Sequence, residues 1–181
     1  MRSPRGFTGA LVLLLGVPAT IAVGALGGSV EIAIHIALGV SFLLFASATF
    51  DFPLPRPITW IACAAIGLLG AIFLLQAISE GVRSPALHNL AFDILGQRLE
   101  KVLGYTFLVW CAAAVVMDSS GWRRVLGAVA LAATFCAESY ALYAASTGQQ
   151  ASEALKLIYL AVFVWLLIES ARKREAKSPP A

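Results

Sequence analysis

The apolar stretch VEIAIHIALGVSFLLFASATF (Val30–Phe50), the break DFPLPRP (Asp51–Pro57) and the apolar stretch ITWIACAAIGLLGAIFLLQAI (Ile58–Ile78) together decide the fold. Each apolar run has 21 residues, close to the roughly 20 that a helix needs to cross the hydrocarbon core of a bilayer. Between them, Pro53, Pro55 and Pro57 remove backbone donors and fix φ, so one helix cannot continue into the next. The segment reads as two membrane helices joined by a short turn.

The same pattern extends in both directions. Runs near 7–27, 30–50, 58–78, 100–117, 123–145 and 154–170 are apolar and end at breakers, among them Gly27-Gly28-Ser29, Met117-Asp-Ser-Ser-Gly121 and Ser146-Thr-Gly-Gln-Gln150. Composition agrees: of 181 residues 60% are hydrophobic and 13% charged, with mean hydropathy +0.85 and pI near 8.9. A soluble domain averages about 45–50% apolar and about 25% charged residues. The expected fold is all-α, a polytopic bundle of six transmembrane helices over 1–171, followed by a basic, proline-ending tail at 172–181. The run after Met1-Arg-Ser-Pro-Arg5 is longer than a signal-peptide core, so it reads as an uncleaved first span, with cleavage after Val23-Gly-Ala25 as the alternative.

Basic residues orient the bundle, because Lys and Arg near the spans gather on the cytoplasmic side. Six spans with both termini cytoplasmic put nine of the thirteen inside: Arg2, Arg5, Arg56, Arg123, Arg124, Arg172, Lys173, Arg174 and Lys177. Arg83, Arg98, Lys101 and Lys156 fall outside. A bacterial inner membrane is the expected setting. Trp60, Trp122 and Trp165 then mark the inner half, and Tyr105, Tyr140, Tyr143 and Tyr159 the outer half, with Trp110 at mid-span. Before span four, Ser84 followed by Pro85 is a helix-start signal. From there Leu87, Leu90, Ala91, Ile94, Leu95, Leu99 and Val102 recur at helical spacing opposite Asn89, Asp93, Gln97 and Glu100, predicting an amphipathic outer helix that runs into span four.

Helices in lipid associate where small side chains admit close approach. Gly24/Gly28, Cys63/Gly67/Ala71 and Ala133/Ala137/Ala141/Ala145 form such stripes. They predict that spans three and five are central, or that the stripes serve a homo-oligomer or a larger membrane complex. The three cysteines, Cys63, Cys111 and Cys136, have neither disulfide nor zinc spacing. No nucleic-acid module is present, and the basic tail suits topology and anionic lipid.

Ionisable residues inside a span are costly unless partnered. Glu31 and His35 share a face of span two; Gln76 and Glu80 share one at the outer end of span three. Glu138 lies on span five, roughly 10 Å below its outer end, and Lys156 opens span six. The candidate substrate or proton site is therefore Glu138, His35, Glu31, Gln76 and Lys156, opening to the non-cytoplasmic side. His35, His88 and Asp93 are weak metal candidates: imidazole and carboxylate suit zinc, and a histidine within a span suits haem b. Transport or binding of a small solute or proton is the leading function. An accessory subunit of a larger complex is the first alternative, and a redox or metal-dependent membrane enzyme centred on His35 the second.

Overall fold

The computed structural model describes residues 2–22, 28–149 and 158–172, and these are helical apart from short turns. The helices are α1 (Pro4–Ala22), α2 (Gly28–Ala48), α3 (Arg56–Val82), α4 (Pro85–His88), α5 (Glu100–Asp118), α6 (Trp122–Ser146) and α7 (Tyr159–Ala171). A 3₁₀ turn at Thr49–Asp51 extends α2, and a π-wound stretch, Asn89–Leu99, links α4 to α5.

Local chemistry sets the ends. After Asp51, Phe52 is extended, Pro55 caps α3 with φ −54° and ψ 136°, and Pro57 occupies its first turn, where a missing donor costs nothing. Arg83 ends α3 in the left-handed region at φ 55°, and Gly121, at φ 57°, turns the chain from α5 to α6. Ser84 caps α4 by position, but its hydroxyl makes no capping bond; its carbonyl accepts from His88 N–H at 2.9 Å.

Packing follows chain order. α1 lies on α2, α2 on α3, α3 on α5, α5 on α6, α6 on α7, and α7 returns to α1, so the six long helices close into a ring. Its core includes Leu13, Phe42, Phe45, Ile66, Phe107, Trp110, Val162, Trp165 and Leu166. Ser3 N–H donates to the Ser170 carbonyl at 3.1 Å, holding the start of α1 against the end of α7. Both described ends therefore lie at one end of the bundle, together with the α2–α3 and α5–α6 turns. Val30–Asp51, Arg56–Val82 and Trp122–Ala144 are long and apolar enough to cross a membrane; Pro4–Gly16, Val102–Asp118 and Leu160–Ala171 are shorter apolar helices.

The structure relocates several contacts. α2 and α3 meet at Gly39 and Gly70: a Cβ on Gly70 would lie 2.8 Å from the Gly39 carbonyl, and one on Gly39 2.9 Å from the Gly70 carbonyl. The expected Cys63/Gly67/Ala71 stripe is off this seam, since Ala71 is exposed and a Cβ on Gly67 would reach only Ala46 at 3.7 Å. Gly28 opens α2 rather than ending span one, and Gly24 lies outside the described residues. On α6, Ala137 is buried while Ala133 and Ala141 are half-buried. α6 is not central: 22% of its apolar span is buried within the bundle, against 44% for the helix beginning at Val30 and 39% for α3. Trp165, grouped by sequence with Trp60 and Trp122, differs from them in being buried, its indole edge filling the space over Gly127.

The amphipathic segment before α5 exists, with a different buried face. Ala91, Leu95 and Leu99 turn toward the bundle while Leu90, Ile94 and Val102 are exposed. The wider π turn favours a repeat of four, where an ordinary helix would have mixed three and four.

Candidate functional site

Charged and polar side chains converge at the two ends of the bundle in different ways. At the end away from the termini, His35 lies two turns into α2 and Glu80 near the end of α3, so the antiparallel packing of these helices brings them level. His35 Nδ1 is 3.1 Å from both Glu80 carboxylate oxygens. An ionised carboxylate only accepts, so with Glu80 ionised Nδ1–H donates and Nε2 is left outside the pair. The two side chains are 15% and 16% exposed, which is shielded from solvent without being sealed. Phe73 and Phe92 flank the imidazole, with ring centroids 6.1 and 5.8 Å away. His88, exposed, stacks on Phe92 with ring centroids 4.5 Å apart.

The π stretch helps to build this end. It carries Phe92 and directs the Ala91 carbonyl to the buried Gln76 side chain, whose amide N–H donates to it at 3.4 Å. π-wound turns are often found at functional positions.

Of the sequence candidates, His35 and Gln76 belong to this cluster, together with Glu80. Glu31 is exposed one turn from His35. Glu138 is half-buried and partnered on α6, which packs on α5 and α7. Lys156 lies outside the described residues. For the metal candidates, His35 is taken up by Glu80, Phe92 lies beside both His35 and His88, and Asp93 accepts from the Asn89 amide at 3.3 Å. Among the described residues no three His, Cys, Asp or Glu side chains gather to hold a metal ion.

The second convergence, at the termini end, joins residues that sequence depth alone marks as interfacial. Arg2 pairs with Asp118 and donates from Nε to the Asp51 carbonyl at 3.2 Å. Its guanidinium also lies 4.9 Å from the centre of the Phe52 ring. Ser3 Oγ donates to Asp51 Oδ2 at 2.7 Å. Arg172 reaches Glu169 at 3.1 Å and Asp118 at 3.5 Å; Arg123 reaches Glu169 at 3.5 Å. Glu169 is 1% exposed, so its charge is held by two guanidiniums in place of water. A signal for this was present: Asp51, Asp118 and Glu169 all stand at helix C-terminal ends, where the helix dipole disfavours a carboxylate and a cationic partner is needed.

Comparison with protein-family models, curated proteins and solved structures returns no match.

Proposed function

We propose that the chain is a six-span membrane protein with both termini cytoplasmic, and that its outer half binds and passes a proton or a small proton-coupled solute at His35 and Glu80. The observation that carries this reading is the partly exposed His35–Glu80 pair between α2 and α3, flanked by Phe73 and Phe92. A histidine that donates to an ionised carboxylate can gain a proton at its second nitrogen, so that a carboxylate charge first held only by a hydrogen bond becomes half of an ion pair and no net charge is left in the membrane. Phe73 and Phe92 limit access, and Gln76 ties α3 to the π segment that bears Phe92. The distribution of basic residues supports the orientation. Glu138, two helices from α3 round the ring, is kept as a further protonatable group on the same path.

Vesicles holding the purified chain and a trapped pH-sensitive dye test the reading. After an external acid jump, the wild type is expected to dissipate the gradient faster than protein-free vesicles. His35→Gln and Glu80→Gln should return the rate to background, and Glu138→Gln should slow it. A wild-type rate equal to that of empty vesicles, or variants that match the wild type, would overturn the proposal.

A further inference from the structure

The ion-pair network at the termini end plays no part in the chemistry of His35 and Glu80, yet it links nearly the whole ring. Arg2 and Ser3 come from the start of α1, Asp51 from the α2–α3 turn, Asp118 from the end of α5, Arg123 from the start of α6, and Glu169 and Arg172 from the end of α7. Within the ion-paired set the guanidiniums of Arg2, Arg123 and Arg172 match the carboxylates of Asp51, Asp118 and Glu169 in number, and a fourth guanidinium, Arg124, is held by the Ser119 carbonyl at 2.8 Å.

A cluster of this kind is a poor choice if the only requirement is stability. Burying charged groups costs desolvation energy that the Coulomb attraction roughly repays, and apolar groups of equal volume often hold a fold as well or better. It differs from an apolar seal in what happens when it parts. Separated charges recover their hydration, whereas a parted apolar seal exposes hydrocarbon to water. A closure made of balanced charges can therefore open at low cost. Two further groups fit a wetted state: the hydroxyls of Ser119 and Ser170, next to Asp118 and Glu169 in the chain, are buried without a hydrogen-bond partner, and water entering on opening would satisfy them.

We infer that this network is the gate at the termini side, closed in the present structure, and that parting Arg2 and Arg172 from Asp118 and Glu169 admits water to the bundle from that side. This rests on the transport reading above: with the His35–Glu80 site partly open at one end, passage through the bundle requires the other end to open in turn.

The test measures opening apart from transport. With Cys63, Cys111 and Cys136 replaced by alanine, Ser119→Cys places one thiol beside Asp118, and the full chain in lipid nanodiscs exposes both faces to a charged maleimide. The gate predicts slow labelling in this background, at least tenfold faster labelling when Asp118→Asn is added, and unchanged labelling of a second reporter, Leu38→Cys, whose side chain lies in the α1–α2 seam against Gly16 and stays packed when the gate opens. Faster labelling at both reporters would mean that Asp118→Asn unfolds the chain, and a second variant then decides. Arg123→Met, Glu169→Leu and Arg172→Met together replace the charges around Glu169 with apolar groups, which should lower Ser119→Cys labelling at least tenfold below the background. Labelling unmoved by that triple variant overturns the gate. A gate that responds in both directions in a chain that dissipates no pH gradient overturns the transport reading and leaves the gate standing.

Discussion

Gly70→Ala compared with Gly67→Ala tests whether α2 and α3 meet backbone to backbone. Both glycines lie inside α3, one turn apart, so each substitution gains the same helix preference, about 0.8–1 kcal/mol. That gain cancels in the comparison. What remains is steric: the new Cβ lies 2.8 Å from the Gly39 carbonyl oxygen and 3.1 Å from Leu43 N at position 70, but 3.7 Å from the Ala46 Cβ at position 67. A main-chain atom cannot rotate away as a side chain can. The helices must separate by about half an ångström, which already forfeits about a quarter of each dispersion contact along the seam. Overpacking of this kind costs about 1–3 kcal/mol, a change of roughly five- to 150-fold in the folding equilibrium. Reversible unfolding in mixed micelles, followed by helix content, should find Gly67→Ala as stable as the wild type or more so, and Gly70→Ala less stable than Gly67→Ala by that amount. Equal stabilities would refute the close approach and move the α2–α3 seam elsewhere.

Other parts of the ring lend themselves to equally direct tests. Gly6→Cys with Ser170→Cys in the cysteine-free background should form a disulfide under mild oxidation, because a Cβ at position 6 would lie 2.8 Å from the Ser170 Oγ; a chain that stays reduced would deny the α1–α7 closure. Gly127→Ala should destabilise, and Val115→Ala should restore part of the loss, since it removes the 2.6 Å contact of the added Cβ with Val115 Cγ2 and leaves the 2.8 Å contact with the Trp165 indole; absence of any rescue would count against that packing. Glu169→Gln leaves Arg123 and Arg172 without their shared carboxylate and is expected to cost about 3–5 kcal/mol, whereas the triple apolar replacement should come close to the wild type. Both are read by the same unfolding assay, and a Glu169→Gln variant as stable as the wild type would contradict the buried pairings.

Helix positions were readable from the sequence because the chain marks them twice, by apolar length and by the breakers at Pro53–Pro57, Ser84-Pro85 and Gly121. Neighbours across helices were harder to read. Spacing of four placed Glu31 with His35 and Gln76 with Glu80 on shared faces, but lateral register decides that His35 meets Glu80 while Glu31 remains exposed. Small residues mislead in the same way: Gly67 and Gly70 look equivalent in the sequence, and only the rotation of α3 selects Gly70 as the contact. Depth along the bundle is an axial coordinate, so it could not separate Trp122, which is exposed, from Trp165, which is buried.

The two polar ends differ in how their charges are held, and that difference gives the bundle a direction. At the termini end, carboxylates sit where helix dipoles disfavour them and arginines from other helices hold them. The parts of that end are therefore mutually dependent, and losing Asp118 or Glu169 takes a partner from two guanidiniums at once. At the far end a single histidine–carboxylate pair joins only α2 and α3, beside a π-wound stretch whose looser turn exposes a carbonyl to Gln76. A change in protonation there touches one helix seam and leaves the rest of the ring in place. If the bundle works by alternating between its ends, the local pair is the part suited to sense the proton, and the shared network is the part suited to move several helices at once. His35→Gln should then change the Ser119→Cys labelling rate at a single fixed pH, although the two positions lie at opposite ends of the bundle. A labelling rate equal to that of the cysteine-replaced background carrying His35 would break the coupling between the two ends.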